Sequence, residues 1–298
     1  MTQNKCCRHG ASLRRRRRRR RKILRSIIFS CSIIAVAVFV TVGSSMIRSG
    51  DGRTNKYDVE ARNNTYDNAV IENSKISEKN KIQNNQSMLD DIMNSTQYPK
   101  QLKDLALKNE EALEFVYDYP AEHVKEHTID LTEEASMDSV PLFVQWDKRW
   151  GYEKYSGNFF AASGCGPTTL SMVVVYLTHN REASPIAVAK YSKEAGYSVD
   201  GSGSSWTLIS EGCMHYGVKA KSVALDESRM KAELDEGHPI VVNVGPGDFT
   251  DTGHFMVITG YDDEGFSIND PNSIEKSGKR WLFKNISSQI RAVWSMYV

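Results

Sequence analysis

An α+β domain built on an antiparallel sheet is the fold class predicted for the C-terminal half of this 298-residue chain. Helical patterns come mostly first, at 166–178, 185–195, 205–216 and 226–236, and strand patterns mostly last, at 218–225, 239–245, 254–262, 266–270 and near 292–298. That order, rather than strict alternation, predicts an antiparallel sheet packed on the helix at 166–178. The strands at 254–262 and 266–270 are parted by a hairpin-sized acidic turn, which pairs them antiparallel. A stretch of about 160 residues is ample for one core.

The chain ahead of that domain reads as four segments. Residues 1–26 form a basic tip: twelve Lys or Arg fall in 1–25, leaving 26 bases against 37 acids in the rest. A basic run alone suits nucleic acid, but this one abuts the largely apolar stretch 27–47, so no nucleic-acid partner is expected. As a helix that stretch spans about 31 Å, enough for a bilayer core. The arginines then stay cytoplasmic and the remainder lies outside, on a single-pass bacterial membrane protein. A cleavable signal peptide, with Ile33–Val42 as its apolar region, is the competing reading, and Val42-Gly43-Ser44 is a mediocre cleavage site for it. Both readings export the domain.

Residues 48–96 are rich in Asn, Ser, Asp and Lys and poor in large apolar groups, which predicts a disordered polar stalk. Residues 97–120 change character. Leu102, Leu105, Leu107, Leu113, Phe115 and Val116 among Lys and Glu predict two short amphipathic helices, with Asn109 as a cap between them and Pro120 ending the pair. This helical appendage is expected to pack on the catalytic domain at 139–298, as a spacer rather than a cover for its cleft. Only Cys165 and Cys213 would lie outside the cell, so no disulfide framework is expected. Cys213 is placed in the core, and Cys213 with His215 lacks a second ligand pair, so neither metal nor cofactor is expected.

Within the domain, Ser163-Gly164-Cys165-Gly166-Pro167-Thr168-Thr169 puts one cysteine where a turn becomes an apolar helix. The glycines let the backbone bend and leave the sulfur uncovered, and Pro167 suits a first helical turn. Free N–H groups and the helix dipole favour the thiolate there. A nucleophilic cysteine needs a base, and the base an orienting group. His254 stands at the mouth of the strand 254–262, and antiparallel pairing returns the end of 266–270 to its side. That brings Asp270 alongside His254, with Asn269 as the rival orienting residue, because alternation puts the two on opposite faces without saying which face meets the histidine. Gln145 lies twenty residues before the cysteine, in an apolar lead-in that starts at Pro141.

Val140 to Asp147, Gly164-Cys165-Gly166-Pro167-Thr168, Gly253-His254-Phe255 and Asn269-Asp270-Pro271, in that order, resemble the bacterial cysteine peptidases of family thirty-nine and their stand-alone relatives, the double-glycine leader peptidase-like proteins of the papain-like clan. The resemblance covers about 140–298. It implies a papain-like fold with Cys165 as nucleophile, His254 as base and then acid, Asp270 as orienting carboxylate and Gln145 in the oxyanion hole. Two donors there, the Gln145 amide and the Cys165 N–H, would supply about 3–4 kcal/mol. The dedicated leader peptidases are fused to a multi-span transporter with a nucleotide-binding domain. Here Gly245-Pro246-Gly247 lacks the lysine of a phosphate loop, so leader processing coupled to export is not expected.

The expectation is therefore a membrane-anchored extracellular cysteine peptidase acting on peptides or proteins. Other thiol-dependent acyl transfer, such as a transpeptidase or amidase on cell-wall peptides, uses the same residues. A catalytically idle peptide-binding surface module is the reading from a different class.

Overall fold

Alternating β-branched and aromatic residues at 240–244, 254–262 and 290–297 are pleated surfaces apolar on both sides, and such strands belong in the middle of a sheet. The computed structural model describes residues 77–298. The basic tip, the apolar stretch 27–47 and the stalk as far as residue 76 lie outside the described residues.

The elements run in order as α1 (77–94), α2 (Lys100–Lys108), α3 (Leu113–Tyr117), α4 (Tyr119–Glu122), α5 (Thr132–Ser136), β1 (Lys154–Tyr155), β2 (Asn158–Phe159), α6 (Phe160–Ser163) and α7 (Cys165–Thr178). There follow α8 (Pro185–Glu194), β3 (Ser198–Val199), β4 (Gly203–Ser204), α9 (Thr207–Ser210), β5 (Lys219–Ser222), α10 (Glu227–Asp235) and β6 (Ile240–Val244). The chain ends with β7 (His254–Asp262), β8 (Gly265–Asn269), α11 (Ile274–Ser277), β9 (Arg280–Trp281), α12 (Phe283–Ile286) and β10 (Ile290–Tyr297). The main sheet has six strands in the order β5-β10-β6-β7-β8-β9, every pair antiparallel. The α+β class with an antiparallel sheet is thus as predicted.

Both faces of the sheet are covered. Val241, Phe255, Val257, Trp294 and Met296 pack with Leu170, Val173 and Val174 of α7 and Val188 of α8. On the opposite face Ile240, Val242, Val244, Met256, Ile258 and Ile268 pack with Met230 of α10 and Ile286 of α12. Helix α7 is apolar around its whole circumference and buried from Gly166 to Val175, as a helix sandwiched between a sheet and other helices must be. Its buried Thr169 hydroxyl donates to the Phe255 carbonyl at 3.1 Å, which pins the helix to β7 one residue beyond His254.

Several expectations change. The stalk does not run as disordered chain to residue 96, because 77–94 is helical, and Met88, Leu89 and buried Ile92 form a stripe against Leu102, Leu105 and Phe115. Pro120 does not end the second helix but sits in the first turn of α4, where its missing N–H disturbs nothing. The helix expected at 205–216 is broken at Glu211 into α9 and a 3₁₀ turn, Gly212–Tyr216. No described helix is long and apolar enough to cross a membrane.

Candidate active site

Cys165 opens α7 directly after Gly164, which closes α6, so the sulfur stands at a corner between two helices. Neither Gly164 nor Gly166 needs an unusual backbone angle. They are required for space: a Cβ on Gly164 would lie 2.6 Å from the Phe160 ring, and one on Gly166 would lie 2.5 Å from the Ser204 hydroxyl. The loop around 200–206 thereby presses directly on the start of the nucleophile helix.

His254 is the first residue of β7, paired with Val244, and Asp270 follows the last residue of β8. The register Val257↔Asn269 gives Asp270 the parity of Ile268 and Met256, and hence of His254, while Asn269 falls on the other face with Val257. Of the two neighbours, it is Asp270 that meets the His254 ring. His254 Nε2 lies 2.7 Å from Asp270 Oδ1, with His254 6% and Asp270 0% exposed. Asn269 instead donates to the carbonyls of Val140 and Pro141, at 3.1 and 3.0 Å. With Nε2 on the carboxylate, Nδ1 is the nitrogen left for the Cys165 sulfur, with which the ring interacts electrostatically.

The electrostatics follow from that geometry. Burial acts to raise the Cys165 thiol, but the hydrogen bond to His254, the imidazolium charge and the N–H groups of Phe255 and Gly166 outweigh it and hold the thiol below its ordinary value. Burial acts to lower His254, yet the Asp270 charge and hydrogen bond, with the sulfur opposite, push it up to about 10. The two shifts together favour a thiolate–imidazolium pair over the neutral thiol and imidazole. Cys213 contrasts with it: fully buried in the core as expected, its thiol is raised to about 11 by burial.

Gln145 is buried at 5% exposure, and its Nε2 donates to the Ala161 carbonyl in α6 at 2.7 Å. One amide hydrogen is spent there and the other is not, while Oε1 has no hydrogen-bond partner. The Gln145 backbone N–H donates to Pro271 O at 2.7 Å, so the lead-in segment and the turn after Asp270 are stitched together. Asp270 Oδ1 also accepts the Asn272 N–H at 2.8 Å, and the Asp270 N–H is held by the Ser277 hydroxyl at 2.9 Å.

Three groups escaped the sequence reading. Buried Asn243 donates to the His254 carbonyl at 3.2 Å, and its signal was a lone amide inside the apolar run Ile240-Val241-Val242-Asn243-Val244. Thr169 was quoted only as part of the cysteine motif. Ser277 carried no signal, since its partner is a backbone N–H seven residues earlier.

The model of the Peptidase_C39 like family matches residues 137–298, just over half of the chain. No curated protein matches it. Among solved structures, the peptidase domain of Streptococcus ComA, a bi-functional ABC transporter involved in a quorum sensing pathway, is 19% identical with a TM-score of 0.38, covering 53% of this chain and 96% of that one. A C39-like peptidase from Bacillus anthracis is 16% identical with a TM-score of 0.34, covering 53% of this chain and 95% of that one. On the extent of the family match, this chain belongs to the C39-like peptidase family.

Proposed function

We propose that the protein is a cysteine peptidase that hydrolyses peptide bonds through Cys165, His254 and Asp270. The observation that carries this reading is the buried 2.7 Å pairing of His254 with Asp270, on a ring electrostatically coupled to a cysteine at the start of a helix. The Cys165 thiolate attacks the scissile carbonyl carbon, and the carbonyl electrons move onto oxygen. The remaining Gln145 amide hydrogen and the Cys165 backbone N–H stabilise that oxyanion. The imidazolium of His254 gives its proton to the leaving amine as the C–N bond breaks, leaving a thioester. Neutral His254 then takes a proton from water, whose oxygen attacks the thioester and returns the thiolate. Asp270 holds the ring in the orientation that serves both steps.

The substrate is a peptide or protein, and the domain works outside the cell, tethered through the apolar stretch 27–47 with residues 1–26 in the cytoplasm. The basic tip beside an apolar stretch of bilayer length supports that topology. The test is a thiol-directed activity probe on the reduced protein, paired with a Cys165→Ala control. Labelling of wild type alone is expected, and equal signals would refute the reading.

A further inference from the structure

We infer that the helical segment ahead of the family domain belongs to the catalytic apparatus, with Asn109 and Glu111 as positioning residues that hold the loop carrying Asp270. The inference rests on the reading above, in which Asp270 orients His254.

The Glu111 carboxylate gathers three donors from the residues just past Asp270: the Ser273 hydroxyl, the Ile274 N–H at 2.7 Å and the Glu275 N–H at 3.1 Å. Asn109 Nδ2 donates to the Asn272 carbonyl at 2.9 Å and to its side-chain oxygen at 3.1 Å. The same loop residues fix Asp270: Asn272 N–H bonds its Oδ1 at 2.8 Å, and Ser273 N–H bonds its carbonyl at 3.2 Å. Asn272 and Ser273 are therefore held from one side by residues 109–111 and grip Asp270 from the other. Neither Asn109 nor Glu111 makes a hydrogen bond to the Cys165 or His254 side chains, so their influence must pass through the loop.

The anchor behind them is firm. Asn109 accepts the Glu111 N–H at 3.0 Å, and Leu113, Phe115 and Val116 are buried in a cluster with Phe159 and Ala161. Ala161 is the residue whose carbonyl holds the Gln145 amide. Trp146 lies in that cluster too, its indole N–H reaching the Asn272 carbonyl at 3.4 Å. One packed unit thus backs both the carboxylate and the oxyanion donor, and its buried contacts begin well before residue 137, where the family match starts.

The duller account makes Glu111 a cap for the four-residue α11, contributing stability alone. The two accounts separate on the histidine. In the full-length chain with 15N-labelled histidine, the titration of His254 would be followed by NMR in wild type, Glu111→Gln, Glu111→Ala and Asn109→Ala. Asp270→Asn is the reference, and exposed Glu114→Gln the control. Peptide turnover and thermal unfolding would be measured beside it. In Glu111→Gln the His254 midpoint is expected to fall by about one pH unit as its carboxylate partner drifts. Turnover should drop about tenfold, with KM within about twofold. Glu114→Gln should match wild type. A lower melting temperature with unchanged His254 titration and turnover would overturn the inference while leaving the triad standing. If wild-type His254 titrated at its ordinary value and Asp270→Asn left it there, the triad reading would fail and the inference with it. Should Glu111→Ala not fold, the near-isosteric Gln variant decides.

Discussion

Asn269 and Asp270 are neighbours with unrelated duties, and the difference is measurable. Asp270→Ala removes the carboxylate from buried His254, so turnover should fall by about a thousandfold or more with the protein still folded. Asn269→Ala releases two backbone carbonyls and should cost about 1–2 kcal/mol of stability, with turnover far less affected. Denaturant unfolding and initial rates on both variants check this, and a more damaged Asn269 enzyme would reverse the assignment. The protonation states predict a pH profile as well. The acid limb of kcat/KM should follow the Cys165 thiol, below its ordinary value, and the alkaline limb should follow His254 near pH 10. The sign for stability is separate. A histidine raised in the folded state stabilises fully below its ordinary 6.5, and that contribution is lost as pH rises through about 10. Unfolding free energy attributable to His254 should therefore decline between pH 7 and 10, and Asp270→Asn should flatten that decline.

At the scale of elements, the nucleophile helix is located by two contacts in its first turns. Thr169 ties it to β7, and Gly166 lets Ser204 of β4 come close. Thr169→Val should cost about 1 kcal/mol, the worth of one hydrogen bond. Gly166→Ala should cost about 1–3 kcal/mol, because the added methyl has no room against Ser204. Thermal unfolding of the two variants gives both numbers. The long elements were legible in the sequence because their period is long enough to declare itself: α7, α8, β6, β7 and β8 lie within a residue or two of expectation. The two-residue strands β1 to β4 and β9 were not, since two residues carry no period. Helix α1 was missed for another reason. Its few apolar residues look too sparse to order it, and only the tertiary surface offered by Leu102, Leu105 and Phe115 gives them a partner. Of the site, His254 and Asp270 could be brought together from the hairpin alone, whereas the Gln145 bond to Ala161 depends on a fold that places residues sixteen apart across a corner.

Across the whole molecule, the segment before the family match is built into the core rather than hung from it. Phe115 is buried and stacks on Tyr152 at 4.2 Å between ring centres, while its carbonyl takes the Tyr152 hydroxyl at 2.8 Å. Phe115→Ala should cost about 3–5 kcal/mol, as a buried aromatic truncation does, and denaturant unfolding would read it.

The Asn269-Asp270-Pro271 turn has a consequence in time. Its three residues reach in three directions, to the carbonyls of Val140 and Pro141, to the His254 ring and to the Gln145 N–H. The lead-in and the turn are 129 residues apart, and contacts of such long separation are slow to form because loop closure precedes any gain. A chain still emerging from the ribosome has Cys165 but neither Asp270 nor a seated Gln145 beside it. Peptidase power would then arrive as the last event of folding, which spares the nascent chain from its own nucleophile. Refolding followed at once by tryptophan fluorescence and by thiol reactivity should show the enhanced reactivity of Cys165 appearing only in the slowest phase.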